Sequence, residues 1–478
     1  MSVLGRRAIS MSVGVVLIVV IALAAGGAYY YSVQSAPKPQ TLTVLVDSGS
    51  ETQQYLTAVA SDFHAKNPSV TIQFDPVGFG SMVTTALTAL KNHAGAPDVI
   101  MYYPSMAPDL GPYLMNLQPA MSSGVINGSD LIKPEMFSGG YFLAPNGTII
   151  KTMGVPIHSV FGYVLVYQKS VFANASLASA FQSQYGFKFD PTTWTSWAQL
   201  LDAAQFLNGT HPTQYPLLFP DSAHHAIIDG YLDVAYGYFQ NNPPSGYVTG
   251  TTPNFWSYFR QMSNGTWTTS FNTLPGYQAL EMYGQLIRYQ PSLSVQPIGY
   301  DQQEHFFTTG SYAMGIAWTS FLPVYENASV SSVAGNVGVA LLPGGYTGMA
   351  PTFLGVNPYS KYTQTAEQFI AFALSPAEYQ KGISSISYVP GTYSGLAEAS
   401  SNPSLSWTGS FLTFVQSANI PPTVAAVVPA LSSFFGTLIP GFNQQVYNYF
   451  TNQTTAESAM NTAAAQWLAY MEQNAVTL

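Results

Sequence analysis

From residue 41 onward, apolar positions switch repeatedly between a spacing of two and a spacing of three or four. "TLTVLV" (Thr41 to Val46) is a β-branched apolar run that ends in "DSGSE" and predicts a buried strand feeding a loop. In "SETQQYLTAVASDFHAKNPS", Tyr55, Leu56, Val59 and Phe63 recur at helical spacing, and Asn67-Pro68 ends the helix. "VTIQF" (Val70 to Phe74) predicts a second strand, followed by "DPVGFGS", a helix near Met82 to Asn92, and a third strand in "DVIMYY" (Asp98 to Tyr103). Strand, helix, strand, helix, strand is an α/β pattern, for which right-handed crossovers and a mostly parallel sheet are expected. Ligands of such sheets bind beyond the carboxyl ends of the strands, here the loops "DSGSE", "GFGS" and "YYPSM". The alternation continues through "GYVLVYQ" (Gly162 to Gln168), a helix around Trp197 to Leu207, "YPLLFPD" and "YAMGIAW" (Tyr312 to Trp318); after Thr365 the spacing is mainly helical. A chain of this length is expected to form two domains.

The first forty residues follow a different rule. Arg6 and Arg7 precede 21 uncharged residues, Ala8 to Ala28, enough at roughly 1.5 Å per residue to span the roughly 30 Å hydrocarbon core of a bilayer. No acidic residue follows until Asp47, so the positive-inside rule puts the N-terminus in the cytoplasm and the rest of the chain outside. Residues 1–31 are expected to form a leader and transmembrane anchor, and 32–40 a Pro-containing linker. "ALAAGGA" also offers a small-x-small cleavage site, so secretion after removal of the segment is the alternative. "GRRAIS" resembles the prepilin-like leaders of archaeal surface proteins, which implies cleavage after Ala8 with the helix retained; the glutamate frequent five residues after that cut is Val13 here.

Composition fits the outside of a cell. Seven Asn-x-Ser/Thr sequons, at Asn127, Asn146, Asn174, Asn208, Asn264, Asn327 and Asn452, lie in the external part and are candidate glycosylation sites. There is no cysteine, which excludes disulfides, a thiolate nucleophile and a lipid-modified cysteine. With 13 basic and 22 acidic residues and no basic run, nucleic acid is not an expected partner. So few surface carboxylates also fit an acidic medium, because little native charge pairing is lost when they protonate. The seven histidines show no HExxH or other metal spacing, and adjacent His224 and His225 cannot both face one site from a regular element. No cofactor is expected.

Ten fragments in a fixed order carry a resemblance: "TLTVLV", "DFHAKNPSVTIQF", "GAPDVIMYY", "LMNLQPAM", "GVPIHSVFGYVLVYQKSVF", "PTTWTSWAQLLDAA", "FFTTGSYAMGIAW", "VGVALLPGG", "TAEQFIAFALSPAEYQ" and "YVPGTY". Together they resemble the extracellular solute-binding proteins of ABC importers, in the sugar-binding family that includes maltose-binding protein. The resemblance implies a type II periplasmic-binding-protein-like fold, with two α/β lobes joined by strands that cross more than once and a hinge that closes them around solute. Lobe I would hold residues 41–155 and 355–385, and lobe II residues 156–354 and 386–478. The implied function is solute binding and delivery to a membrane permease, with no chemical step.

Sugars present hydroxyls in the ring plane and weakly polar C–H faces, so their sites combine aromatic platforms with hydrogen-bonding side chains. By the resemblance Tyr102 aligns with an aromatic sugar contact and is the leading candidate. Tyr103 is next, although adjacent strand residues point to opposite faces, so one of the two is expected to pack in the lobe. Asp47, Ser48, Ser50 and Glu51 line the first loop, where Ser48 or Ser50 could instead cap the following helix. Phe79 lies between two glycines that let backbone approach a ligand, or that only make the turn. Phe161 aligns with a contact that is acidic in maltose-binding protein, a departure that argues against the same ligand geometry. Asp221, after Pro220, is either a ligand carboxylate or a helix cap. Trp318 could stack on a sugar face or pack in the core, and Tyr393 of "PGTYSG" is a further candidate. Trp194 and Trp197 are expected to secure a helix start, and Asp98 to be structural.

Two other readings remain at this level. A polysaccharide hydrolase would need two carboxylates about 5–10 Å apart in one cleft, and a structural surface protein would have no small-molecule ligand. The named loops contain no Arg or Lys, so within the binding reading neutral solutes, mono- or oligosaccharides first, are favoured over anions.

Overall fold

The computed structural model describes residues 38–143, 148–159, 163–223, 226–242, 259–261, 267–343, 351–417 and 437–473. The expected N-terminal leader and anchor, Phe161, and the sequons at Asn146 and Asn264 lie outside the described residues. Among the described residues no helix is long and apolar enough to cross a membrane.

Nine strands make the two main sheets: β1 (Gln40–Asp47), β2 (Val70–Val77), β3 (Val99–Tyr102), β4 (Val155–His158), β5 (Tyr163–Gln168), β6 (Tyr215–Leu218), β7 (Tyr312–Trp318), β8 (Val337–Ala340) and β9 (Thr352–Val356). The first sheet has the order β2-β1-β3-β9-β4. Its first three strands are parallel, as their crossover helices dictate, and β9 runs antiparallel to β3 and β4. The second sheet has the order β8-β5-β7-β6, with β7 parallel to β6 and antiparallel to β5. Each sheet thus has its own strands, and one strand, β9, returns from later in the chain to the first.

Local chemistry sets the element ends. The helix α1 (Glu51–Lys66) starts at Ser50, whose Oγ accepts from Gln53 N–H at 3.1 Å while donating to the Asp47 carbonyl at 2.8 Å. Gly49, at φ +81°, makes the turn between strand and helix in the left-handed region a side chain disfavours. Asn67 closes α1, its N–H and side-chain amide both bonded to the Phe63 carbonyl. The helix Trp197–Thr210 opens on a capping box formed by Ser196 and Gln199. Trp197 is buried there, and the Trp194 indole N–H bonds to the Lys188 carbonyl, so both tryptophans fasten this corner. Asp98 is structural as well: buried, it accepts from Thr43 N–H at 2.7 Å and from the Ser360 hydroxyl, tying β1 to the chain that follows β9.

Each sheet has its own core. Val44, Leu56, Ile100, Phe353 and Phe369 belong to the first, and Leu165, Trp197, Tyr283, Phe442 and Trp467 to the second. A smaller cluster joins Val164, Val166 and Leu218 of the second sheet to Val389 and Leu396. The chain leaves the first sheet at His158 and enters the second at Tyr163; it returns between Ala340 and Thr352 and departs again after the helix Pro376–Ile386. His158 touches all of this traffic: it pairs with Thr352 and forms a β-bridge with Pro390. The crossing segments therefore meet at one buried histidine.

Candidate functional site

The carboxyl ends of β1 and β3 lie side by side in the first sheet, and the loop after β2 joins them. Asp47 ends β1, and Tyr103 follows β3. The Tyr103 hydroxyl donates to Asp47 Oδ2 at 2.9 Å. Phe79 opens the short 3-10 turn Phe79–Ser81 and leans on Tyr103, with ring centroids 5.3 Å apart at 59°. A Cβ added at Gly78 or Gly80 would meet nothing within 4 Å, so space is open beside Phe79. The group therefore offers an aromatic face, a hydroxyl and a carboxylate in one place. Burial pushes the Asp47 carboxyl up from its ordinary value, and the Tyr103 hydroxyl and the Ser48 backbone N–H partly offset this. The Tyr103 phenol is also pushed up, by burial first and then by the charges of Asp47 and Glu51.

Glu51, first residue of α1, stands behind this group. Its Oε2 lies 3.4 Å from His158 Nε2. His158 Nδ1 is 3.4 Å from Thr52 Oγ1, and the imidazole stacks on Tyr388 with centroids 4.4 Å apart. Although the Glu51 side chain keeps 28% exposure, its carboxyl is pushed up to about 8, by desolvation first and then by the charge of Glu304. Glu304 belongs to the helix Tyr300–Thr308, which packs on β6 and β7 of the second sheet. The two lobes thus approach each other at Glu51.

On the second lobe, Trp318 ends β7 opposite Tyr163 of β5, with ring centroids 4.5 Å apart and tilted by 39°. Trp318 is half-buried. Among the wall residues named here there is no lysine or arginine. Among the described residues, no group of three or more His, Asp and Glu is placed to hold a metal ion.

The structure corrects two expectations. Tyr102 is fully buried, stacks on Phe353 at 5.2 Å, and donates its hydroxyl to the Gly139 carbonyl at 2.9 Å. Strand alternation turns it into the core and turns its neighbour Tyr103 the other way. A Cβ at Gly154 would collide with the Tyr102 ring, so glycine there makes room for it. Asp221 is also 1% exposed, with Oδ1 taken by Ile298 N–H at 2.6 Å and Oδ2 by Gln290 Nε2 at 2.7 Å. It is a strut that fastens the chain after β6 to the Ile298 segment, and burial pushes its carboxyl up to about 7.

The other predicted residues divide. Ser50 is the helix cap described above, and Ser48 is exposed, with its N–H bonded to the Val77 carbonyl. The Tyr393 hydroxyl accepts from Lys133 N–H at 3.1 Å, at the seam where Leu131 bridges Thr392, apart from the Asp47 group. Sequence reasoning missed His158 and Glu304. His158 carried one usable signal, a lone histidine at the end of the apolar strand "GVPIH" just before a chain crossing; Glu304 carried none, because its relation to Glu51 is made only by the meeting of two lobes.

This architecture is that of a two-lobe α/β periplasmic-binding-protein-like fold. The family described as bacterial extracellular solute-binding protein matches residues 47–380, and the chain belongs to it. The family is one of binding proteins rather than enzymes, and its place is outside the cell membrane. No curated protein sequence matches the chain. Among solved structures, the maltose-bound MalE3 of T. maritima is 16% identical, with 90% of this chain and 100% of that one aligned at a TM-score of 0.67. A solute-binding protein from Agrobacterium vitis with bound D-mannitol is 19% identical, covering 91% of this chain and 99% of its own at 0.66. The GacH receptor of Streptomyces glaucescens, solved unliganded and with acarbose, is 19% identical, covering 92% and 99% at 0.64.

Proposed function

We propose that this chain binds a neutral mono- or oligosaccharide in the cleft between its lobes and hands it to the permease of an ABC importer. The observation that carries this reading is the Asp47–Tyr103–Phe79 group at the carboxyl ends of the first sheet. An aromatic face set beside an oriented hydroxyl and carboxylate matches the C–H face and the hydroxyls of a sugar. The lack of a cation in the named wall residues fits an uncharged solute. Sugars and a sugar alcohol occupy the similar structures, which supports the same ligand class. Asp47, Tyr103 and Phe79 would make the first-lobe contacts, with Ser48 and Glu51 beside them, and Trp318 would stack from the second lobe; Phe161 and Tyr393 are further contacts by the family resemblance.

The uncharged stretch Ala8 to Ala28 would anchor the protein to the outer face of the membrane, or would be removed and leave it secreted. Asn127, Asn174, Asn208, Asn327 and Asn452 are all exposed, which supports glycosylation at these sequons. The test is a thermal-shift screen of the purified full chain against monosaccharides, maltodextrins, polyols and peptides. One sugar class is expected to raise the melting temperature progressively with concentration, since ligand bound only by the folded state stabilises it by mass action. A folded protein that shifts with peptides and with no sugar would overturn the reading.

A further inference from the structure

Glu51, beside the proposed sugar contacts, pairs with His158, which the sugar-binding reading does not use, and the position of this pair is unusual. His158 is the last residue of β4, where the chain leaves the first lobe; it pairs with Thr352 as β9 returns, and bridges Pro390 as the chain crosses again. It is 4% exposed, stacked on Tyr388 and 3.4 Å from Thr52 Oγ1. Glu51 reaches this hinge from the wall of the cleft and faces Glu304 from the other lobe. Resting on the two-lobe binding reading, we propose that closure of the lobes is linked to a proton held between Glu51 and His158, so that the closed, solute-retaining form is favoured in acid and opens as the solution becomes alkaline.

The physical basis is differential solvation. Closure removes water from Glu51 and brings the Glu304 carboxylate toward it, and both effects penalise the Glu51 anion. Its position at the start of α1 favours the anion, but desolvation and Glu304 outweigh this, and the carboxyl titrates near 8 rather than 4.5. The groups that face it are His158 on β4, Glu304 on the helix Tyr300–Thr308, Tyr103 after β3, with Asp47 bonded to it, and Tyr388 after the helix Pro376–Ile386. None of them is a cation in this range, since burial holds the His158 imidazole down to about 3. The neutral imidazole thus receives the Glu51 proton at Nε2, while its own Nδ1 proton points to Thr52 Oγ1, which also accepts from the Tyr388 hydroxyl.

Opening rehydrates Glu51 and withdraws Glu304, so its carboxyl returns toward 4.5. Between 4.5 and about 8 the closed form then holds a proton that the open form has released. A form that holds more protons gains as pH falls, so closure strengthens from pH 8 downward.

The absence of cysteine makes a direct test simple. Spin labels on Thr84→Cys and Ala328→Cys, one exposed site on each lobe, report the interlobe distance in the sugar-free full chain by pulsed electron resonance. The short-distance population is expected to rise at least roughly tenfold relative to the long one from pH 8.5 to pH 5, with its midpoint inside the window set by Glu51. Glu51→Gln, a neutral side chain that still donates to His158, should hold the distribution at its acid form at every pH. Glu304→Gln should move the midpoint to lower pH, and keeps the test open if the first variant fails to fold. A distribution unchanged between pH 5 and 8.5, or a pH response unaltered in both variants, would overturn the proposal. If the wild-type pH response appears while no sugar shifts the melting temperature, the proton link stands and the choice of solute falls.

Discussion

Tyr103→Ala is expected to weaken sugar binding by roughly 30-fold or more, the loss typical of an aromatic anchor at the centre of a contact. The substitution removes the ring against which Phe79 rests and the hydroxyl that orients Asp47. Tyr102→Phe, one residue away, should leave affinity within about twofold and cost the fold about 1 kcal/mol, because it deletes only the buried bond to the Gly139 carbonyl. Titration calorimetry with the best sugar from the screen, alongside denaturant unfolding, separates the two effects. Equal losses of affinity in both variants would mean that the pair acts through the lobe core and that the contact lies elsewhere.

The second large effect concerns pH. Burial pushes Asp221 up to about 7 and Glu51 up to about 8, and holds Glu135 and Asp233 well above the ordinary carboxylate range. For each of these groups, the folded chain keeps a proton that the unfolded chain releases near 4. Their contribution to stability is therefore lost as pH rises through the folded-state values. His158 works the other way: its folded value near 3 lies below the ordinary 6.5, so it costs stability as pH falls through that interval. Four carboxyls oppose one imidazole. The melting temperature is expected to be higher at pH 4.5 than at pH 8 by roughly 5 °C or more. Asp221→Asn, which keeps the acceptor for Ile298 N–H but turns an amide donor toward the Gln290 amide and so costs some stability at every pH, should flatten the slope between pH 4 and 7. Scanning calorimetry at matched ionic strength checks both, and a melting temperature that climbs from pH 4.5 to pH 8 would contradict this account.

The elements were legible wherever local rules decide them. The strand at Thr41 to Val46, the helix closed at Asn67 and the strand Tyr312 to Trp318 follow from apolar spacing, a cap and a stop. The loops that bring the candidate residues together were legible too, because Asp47, Phe79 and Tyr103 all sit at carboxyl ends of neighbouring strands. The phase at the end of β3 was not. Two adjacent tyrosines differ only in which face each presents, and that depends on Phe353, Gly139 and Gly154, all brought up from elsewhere in the chain. The role of Asp221 was not legible for a related reason: its partners Gln290 and Ile298 lie about 70 residues away, and a lone carboxylate after a strand looks the same whether it meets solute or backbone. The Glu51–Glu304 relation belongs to the same class, since no spacing in the chain encodes the approach of two lobes.

Hydrogen exchange with and without saturating sugar tests the central claim most directly, because it reads both walls of the cleft at once. Solute held between the lobes should slow exchange in Asp47–Thr52, around Phe79 and Tyr103, and also around Trp318 on the second lobe. Protection confined to one lobe, or spread over surface remote from these segments, would contradict binding in the cleft.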